Sequence, residues 1–582
     1  IRCQVEGDNM LPNQEVLQNR SINIVEGSWK DTLKSRIVND EPFHPYNHIE
    51  KFQDLKEAAI LFKDYITYND DRNKKVILLT DYDCDGISSA LVLTKFLEIM
   101  FVHYENYTTI VNQRKWSNGL NDNLMKEIIH IQDNVWPSKK ILVVTADMCS
   151  SDNLAIGTLR SRGIDVILTD HHHIPKDNYP VNANYVVNVM REDNTYPYYI
   201  SGAYTAYLLC AMVLELVDMA DTEDGNRVLN HIASYAGIST VVDQMPLNVS
   251  YNRNNAIVGL RSINCREGSF VTLNKMLKQP PILMNKSISW SIGPFFNSGN
   301  RCNTERVLFQ GMRDNDESKI KYAFQENNRR KIAQRDINKQ VLEEVYQVYP
   351  KLEDVFGIAM EIETDYGVAG PVASRLGETF NRPVIIFRQG VDTEILSGSG
   401  RAIIDVDLLE LLKEIQNETE GVIYKAAGHS GACGVEIYAK NLNKFRELFS
   451  NKVKEKVNGK LPMHTLEVLS YIEPQDISLA LALEVEHYGP YGKDWSEPLF
   501  ITKAKYKGSY NFGSAKQCKF ERFGKTTFQG IYNFDRPNGI TQDNWNEKMD
   551  GDKWYYIVFS LQLGYSNNNY LVDIGIKDIF PV

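Results

Sequence analysis

VILLTDYDCDG, residues 76–86, is a run of aliphatic and β-branched residues that ends in three alternate aspartates and a glycine. A short apolar run bounded by turn residues reads as a buried strand. KEAAILFKDYI before it and ISSALVLTKFLEIM after it have a helical period, so the stretch is the strand of a βα unit. Two further strands repeat the pattern, ILVVTAD at 141–147 and VILTD at 166–170, the second running into three histidines. This alternation predicts a parallel sheet covered by helices on both faces. In such sheets, sites form outside the carboxyl ends of the strands, so TDYDCDG, TADMCSSD and TDHHH are predicted to converge on one crevice. One aspartate there would read as a helix cap. Three acid-bearing strand ends, one with adjoining histidines, do not.

Asp81, Asp83, Asp85 and Gly86 also spell the opening of an EF-hand loop. That reading fails because Val92 stands where the bidentate glutamate should be, and an apolar strand replaces the entering helix. Gly86 is expected to open the backbone for close approach of phosphate or metal at the start of the next helix. Clustered carboxylates raise one another's pKa, and divalent cations relieve the repulsion. Oxygen ligands with one imidazole suit Mn²⁺ or Mg²⁺, manganese first, better than they suit zinc. Two such ions would activate a bridging water and stabilise the attacking and leaving oxygens of a phosphodiester, so phosphoester hydrolysis is the expected chemistry. His171, His172 and His173 alternate in direction, leaving one for metal, the next for substrate and the third for solvent.

The 582 residues exceed what one core usually serves, so three or more domains are expected. A hydrophobic share of 43% and a charged share of 24%, without a long apolar run, exclude a membrane-spanning chain. The N-terminus lacks a basic segment followed by an apolar run, and eight scattered cysteines form no CxxC pair, so a cytoplasmic protein with reduced thiols is expected. A net charge of −11 argues against a surface coated in basic residues for gripping duplex nucleic acid; any such site must be a local groove.

Residues 1–50 read as a lead-in segment, 51–250 as the acid-bearing α/β domain and 251–355 as a helical connector that includes a long charged helix near 313–350. Residues 356–458 form a second α/β unit, with GIAMEI and PVIIF as strands and PVASRLGETF as the helix between. Residues 459–582, rich in aromatics, glycine and short alternating runs, suit a small β-barrel.

The series DYDCDG, TADMCSSD, TDHH and VVDQMPL, in that order, resembles the motifs of the DHH phosphoesterases, and most closely their RecJ-type single-strand-specific exonuclease branch. IGPFFNSGNR, YGVAGPVASRLGETFNRPVIIF, GSGRAI, AAGHSGACGVEI and HYGPYGKDWSEPLF resemble its later segments, so the likeness runs over roughly residues 51–582. It implies a DHH domain joined by a long helix to a DHH-associated α/β domain, then an OB-fold-like barrel. It makes Asp147 the ligand bridging both metals, with Asp85, His171 and Asp243 completing one and Asp83 on the other, and His172 on the scissile phosphate. It also implies that Arg401, His429 and Gly428, with Asn297, Arg301 and Ser399, grip the DNA backbone or its 5′ end. Two positions depart from the pattern. Leu79 stands where many relatives have a metal-binding histidine, so Asp81 or water is expected to replace it. Phe295 follows Pro294 where an arginine is usual, so one basic contact to the strand is expected to be missing.

The resulting expectation is a metal-dependent exonuclease that digests single-stranded DNA from 5′ to 3′ in repair, recombination or replication. Its expected partners are single-stranded DNA and single-strand-binding or replication and repair proteins, with no membrane. A strand threaded through a channel needs local basic and stacking groups. Arg329, Arg330 and Lys331, or Lys516, Lys519, Phe520, Arg522 and Phe523, offer them, although solvated charges and core aromatics explain the same residues equally well. The rivals are a phosphodiesterase for short oligonucleotides or cyclic dinucleotides, and a catalytically weakened nucleic-acid-binding scaffold.

Overall fold

The computed structural model describes residues 11–582, apart from 39, 42, 67–72, 264–267, 365–366, 391–393, 403–405, 429, 462–464, 514, 523–524, 535–539, 541 and 543. Strand β1 (Ile22–Ile24) comes first and belongs to the last sheet. The first complete sheet is built from β2 (Lys74–Thr80), β3 (Tyr107–Val111), β4 (Lys140–Ala146), β5 (Asp165–Asp170) and β6 (Tyr185–Asn188). Its order is β3-β2-β4-β5-β6 and every pairing is parallel, as the strand and helix alternation predicts. The chain leaves β2 to one side for β3 and returns to the other for β4, so the topological switch lies between β2 and β4. The crevice therefore opens at their carboxyl ends.

Side-chain alternation divides β2 between two cores. Val76 and Leu78 pack with Phe62, Leu91, Phe96 and Leu208 from helices Leu55–Ile66, Cys84–Ile99 and Gly202–Leu216. Ile77 and Leu79 pack on the other face with Leu124, Ile128, Ile156 and Leu159 from helices Asp122–His130 and Asn153–Ser161. Leu79 is thus wholly buried in a hydrophobic layer. Full burial of such a side chain contributes about 1.5–3 kcal/mol.

Helix Glu317–Val348 has 32 residues and so runs about 48 Å. Asp316 caps it, accepting hydrogen bonds from the amides of Ser318 (2.9 Å) and Lys319 (3.3 Å). Ile320 and Ala323 near its start join the core of the parallel sheet, whereas Val341 and Val345 near its end join that of the second sheet. The second sheet holds β7 (Ile358–Glu361), β8 (Val384–Gln389), β9 (Ile395–Arg401), β10 (Ile423–Gly428) and β11 (Ala432–Tyr438), in the order β10-β11-β9-β8-β7. Only β7 and β8 pair in parallel there.

The third sheet comprises β12 (Leu466–Tyr471), β13 (Leu499–Phe512), β14 (Ala515–Arg522), β15 (Lys525–Tyr532), β16 (Trp554–Ser566) and β17 (Asn569–Pro581), with β1 pairing in parallel to β12. Strand β13 pairs with both β14 and β16, which closes β13-β14-β15-β17-β16 into a ring. Phe500, Phe520, Phe528 and Phe559 fill its interior. Phe520 is therefore a core residue and not a surface for stacking bases. Phe523 and the side chain of Arg522 lie outside the described residues. Among the described residues, no helix is long and apolar enough to cross a membrane.

Candidate active site

Beyond β2 the chain turns directly into helix Cys84–Ile99, and Asp83 is its N-cap, accepting from the amides of Asp85 (2.9 Å) and Gly86 (3.1 Å). A Cβ on Gly86 would stand 2.2 Å from the carbonyl oxygen of Asp81. Glycine is needed there so that the strand end can pack on the helix start, which replaces the expectation of an opening for phosphate. Asp85 points into the crevice and accepts from the amides of Gly202 and Ala203, each at 2.7 Å, and from the Ser239 hydroxyl. Those amides begin helix Gly202–Leu216, whose positive end favours an anion. A Cβ on Gly202 would lie 2.7 Å from the Cβ of Asp147.

Asp147 follows β4 in the left-handed region at φ 63°, and Cys149 follows at φ 84°. Such conformations cost on the order of 1–3 kcal/mol each for non-glycine residues and cluster at functional sites. The Asp147 amide donates to the carbonyl of Thr169 (3.0 Å), tying the turn to β5. Beyond β5, His171 Nε2 lies 3.3 Å from Asp147 Oδ1 and 3.4 Å from both Asp85 Oδ2 and Asp243 Oδ2. Asp243 reaches the crevice from the C-terminus of helix Glu223–Val242. His172 Nδ1 lies 2.8 Å from Asp170 Oδ1 and 3.8 Å from Asp147 Oδ1, while His173 is exposed.

Seven residues singled out in the sequence thus meet in one crevice. Asp85, His171 and Asp243 form one potential ligand set, and Asp81, Asp83 and Asp147 another, with ligand atoms of each set within 4.8 Å of one another. Asp147 Oδ1 and both ring nitrogens of His171 are buried without hydrogen-bond partners, an arrangement that a bound cation would satisfy. The oxygen-rich donor set fits Mn²⁺ or Mg²⁺.

The electrostatics point the same way. Burial, and then the neighbouring Asp83, pushes Asp81 up to about 8. Burial followed by the charge of Asp85 likewise raises Asp83, Asp147 and Asp243 above the usual carboxylate range. Burial lowers His171. His172 moves the other way: burial opposes its charge, but Asp170 outweighs it and lifts the imidazole to about 10. Tyr199 stands at the crevice with its ring centroid 5.9 Å from that of His171 and 40% of its surface exposed.

A second cluster has the opposite sign. Arg301 is half-buried, and that burial together with Arg114, Arg330 and Arg401 lowers its pKa to about 10. A Cβ on Gly367 would lie 3.1–3.6 Å from side-chain atoms of Arg330, Arg114 and Arg301, and one on Gly370 would lie 2.8 Å from Arg401 and 3.2 Å from the Ser399 hydroxyl. Arg301 and Asn297 share helix Gly293–Cys302, and Asn297 Oδ1 accepts from the Cys84 amide at 3.0 Å, so one helix joins the arginines to the acidic crevice. Phe295 of the same helix is buried beside Phe296 and Phe324, in the core and away from any strand-facing surface. Gly428 (φ 134°) is demanded by the hairpin of β10 and β11, where a Cβ would meet the Ala432 carbonyl at 2.6 Å. His429 lies outside the described residues. Arg330 is a candidate for the basic track in the sequence, whereas Arg114, Gly202 and Tyr199 carry no sequence signal, because each acquires its neighbours only through tertiary packing.

Residues 75–239 match the DHH family, N-terminal domain, and residues 353–455 match the DHHA1 domain. The chain is 25% identical over 442 residues to the single-stranded-DNA-specific exonuclease RecJ of Dickeya dadantii, covering 74% of this chain and 75% of that protein. It is 26% identical over 453 residues to the RecJ of Escherichia coli strain K12, covering 75% and 76%. The crystal structure of RecJ from Thermus thermophilus in complex with Mn²⁺ has the same fold, with a TM-score of 0.69 at 18% identity over 91% of this chain and 72% of that one. The chain thus carries a DHH family N-terminal domain on its five-stranded parallel sheet and a DHHA1 domain on its second α/β unit, in the fold of the Thermus structure.

Proposed function

We propose that this chain is a metal-dependent exonuclease that hydrolyses single-stranded DNA from its 5′ end, releasing nucleotides. The observation that carries this reading is the meeting of two ligand sets at Asp147 and His171, with buried donor atoms that have no hydrogen-bond partner. Asp85, His171 and Asp243 would hold one ion and Asp81, Asp83 and Asp147 the other, with Asp147 between them. When bound, two Mn²⁺ or Mg²⁺ ions supply a water of lowered pKa and charge stabilisation for the attacking and leaving oxygens. The chain's own residues do the positioning. The amides of Gly202 and Ala203 fix Asp85, the Asp83 cap fixes the start of its helix, and His172 presents a cationic ring to the scissile phosphate.

Polymer binding is supported by the arginine cluster, where Arg301, Arg401 and Ser399, joined by Arg114 and Arg330, suit a phosphate of the strand. The ring of β13 to β17, read as an OB-fold-like barrel, adds an outer face with Tyr510 and Phe512 exposed and Lys519 Nζ 5.7 Å over the Tyr510 ring, a combination suited to stacked bases. Residues 51–250 then serve as the catalytic domain, 251–355 as connector, 356–458 as strand-binding domain and 459–582 as accessory barrel. Strand β1 of the N-terminal segment pairs with β12, which leads into that barrel through β13. A cytoplasmic place beside single-strand-binding, repair or replication proteins suits this activity.

The test is incubation of the purified chain with 5′-labelled single-stranded DNA, duplex DNA and a dinucleotide, with Mn²⁺ or with EDTA. Mn²⁺-dependent release of nucleotides from the single strand is expected, and Asp147→Ala should lower the rate on the order of a thousandfold, the loss of several kcal/mol of transition-state stabilisation. Release only from the dinucleotide would favour the small-substrate reading, and no release from any substrate would favour a scaffold.

A further inference from the structure

Behind the exposed imidazole of His172 lies a buried chain of hydrogen bonds around Asp170, which also stands with Asp147, His171 and His172 in a group close enough to hold a cation. Asp170 Oδ1 accepts from the amides of His171 (2.7 Å) and His172 (3.2 Å) and from His172 Nδ1 (2.8 Å). Its Oδ2 accepts from both the amide (3.2 Å) and the hydroxyl (2.6 Å) of Ser150. Asn188 Nδ2 donates to the Ser150 hydroxyl (2.8 Å) and to the carbonyl of His172 (2.9 Å), and its Oδ1 accepts from the Met190 amide (2.7 Å). Asp170 and Asn188 are fully buried and Ser150 nearly so, whereas His172 is 46% exposed.

Donor and acceptor roles along this chain are forced. An amide nitrogen can only donate, so the Ser150 hydroxyl must accept from Asn188 and pass its own proton to Asp170. Asp170 then accepts from every neighbour, His172 donates to it from Nδ1, and Nε2 is the nitrogen turned to substrate. We infer that Ser150 and Asn188 are positioning residues which hold the Asp170 carboxylate, and through it the orientation of the His172 ring, at the scissile phosphate. The inference rests on the functional reading above, since His172 needs a phosphate to address. Asn188 also ties the His172 backbone to the end of β6, so both the backbone and the Nδ1 side of the ring are held.

Removing an outer partner of this kind typically costs about 10–100-fold in activity. In the Mn²⁺-loaded full chain acting on single-stranded DNA, Ser150→Ala should lower kcat about tenfold, with KM, Mn²⁺ affinity and Tm unchanged. Ser150→Thr, which keeps the hydroxyl, should retain kcat. Asn188→Ala should fall in the same direction, and Ser150→Ala added to Asp170→Asn should cost nothing further. Independently of turnover, ¹⁵N-histidine spectra of the Mg²⁺ form should show a strongly hydrogen-bonded Nδ1–H on His172 in the natural chain and a weakened one in Ser150→Ala. A wild-type kcat in Ser150→Ala, an equal loss in Ser150→Thr, or a loss that tracks weakened Mn²⁺ binding would overturn the inference. If the natural chain releases no nucleotide, the functional reading fails, and an unchanged His172 spectrum in Ser150→Ala then overturns this one separately.

Discussion

The acidic crevice and the arginine cluster are opposite in sign and share one predicament. In the crevice, closely packed carboxylates raise one another's pKa, and in the cluster, half-buried guanidiniums lower that of Arg301. Each is electrostatically uncomfortable alone, because burial denies it the water that would screen like charges. Cations would relieve the first and, on the proposed function, a phosphate strand would relieve the second. The difference lies in rigidity. The carboxylates are held by the backbone amides of Asp85, Gly86, Gly202 and Ala203, whereas the arginines come from four separated segments of chain. A metal centre needs fixed geometry and a strand-binding site needs reach. Helix Gly293–Cys302, with Asn297 toward one and Arg301 toward the other, couples the two.

The comparison breaks hardest at Gly202. A methyl there would press on Asp147 and stand 2.9 Å from Asp85 Oδ2, so Gly202→Ala should weaken Mn²⁺ binding by calorimetry about 10–100-fold while leaving strand binding intact. Equal weakening of both would show that the two clusters are one unit. Arg401→Ala should do the converse. Affinity for single-stranded DNA should drop about tenfold, and the salt dependence of binding should lose about 0.7 of its logarithmic slope, the share of one phosphate contact. Unchanged slope would remove Arg401 from the strand site.

The smallest effect concerns pH. A carboxylate raised from about 4 to about 8 contributes stability that is present below pH ~4 and lost as pH rises toward 8. In EDTA, Tm should therefore fall by a few degrees between pH 6 and pH 9, and Mn²⁺ should raise Tm more at pH 9 than at pH 6. A Tm in EDTA that climbs over this interval would show that the crevice is not charged in the way its packing implies.

Sequence alone determined the sheet and the acids on it. An apolar strand that runs into aspartate states both its burial and its end, and three such strands in parallel have their carboxyl ends on one side, so Asp83, Asp85, Asp147 and His171 were legible together. Asp243 was legible only through family likeness, because it closes a helix, where aspartate is ordinary. Tertiary structure alone decided the rest. It turned Gly86 from a suspected ligand opening into a packing contact, put Leu79 and Phe295 into hydrophobic layers, and enrolled β1 in a sheet whose other strands begin more than four hundred residues later. It also gathered Arg114, Arg301, Arg330 and Arg401, and lined up Asn188, Ser150 and Asp170 behind His172. Strand-end chemistry repeats with the local period of the chain and can be read from it. Clusters drawn from distant segments have no period, and exist only once packing has brought those segments together.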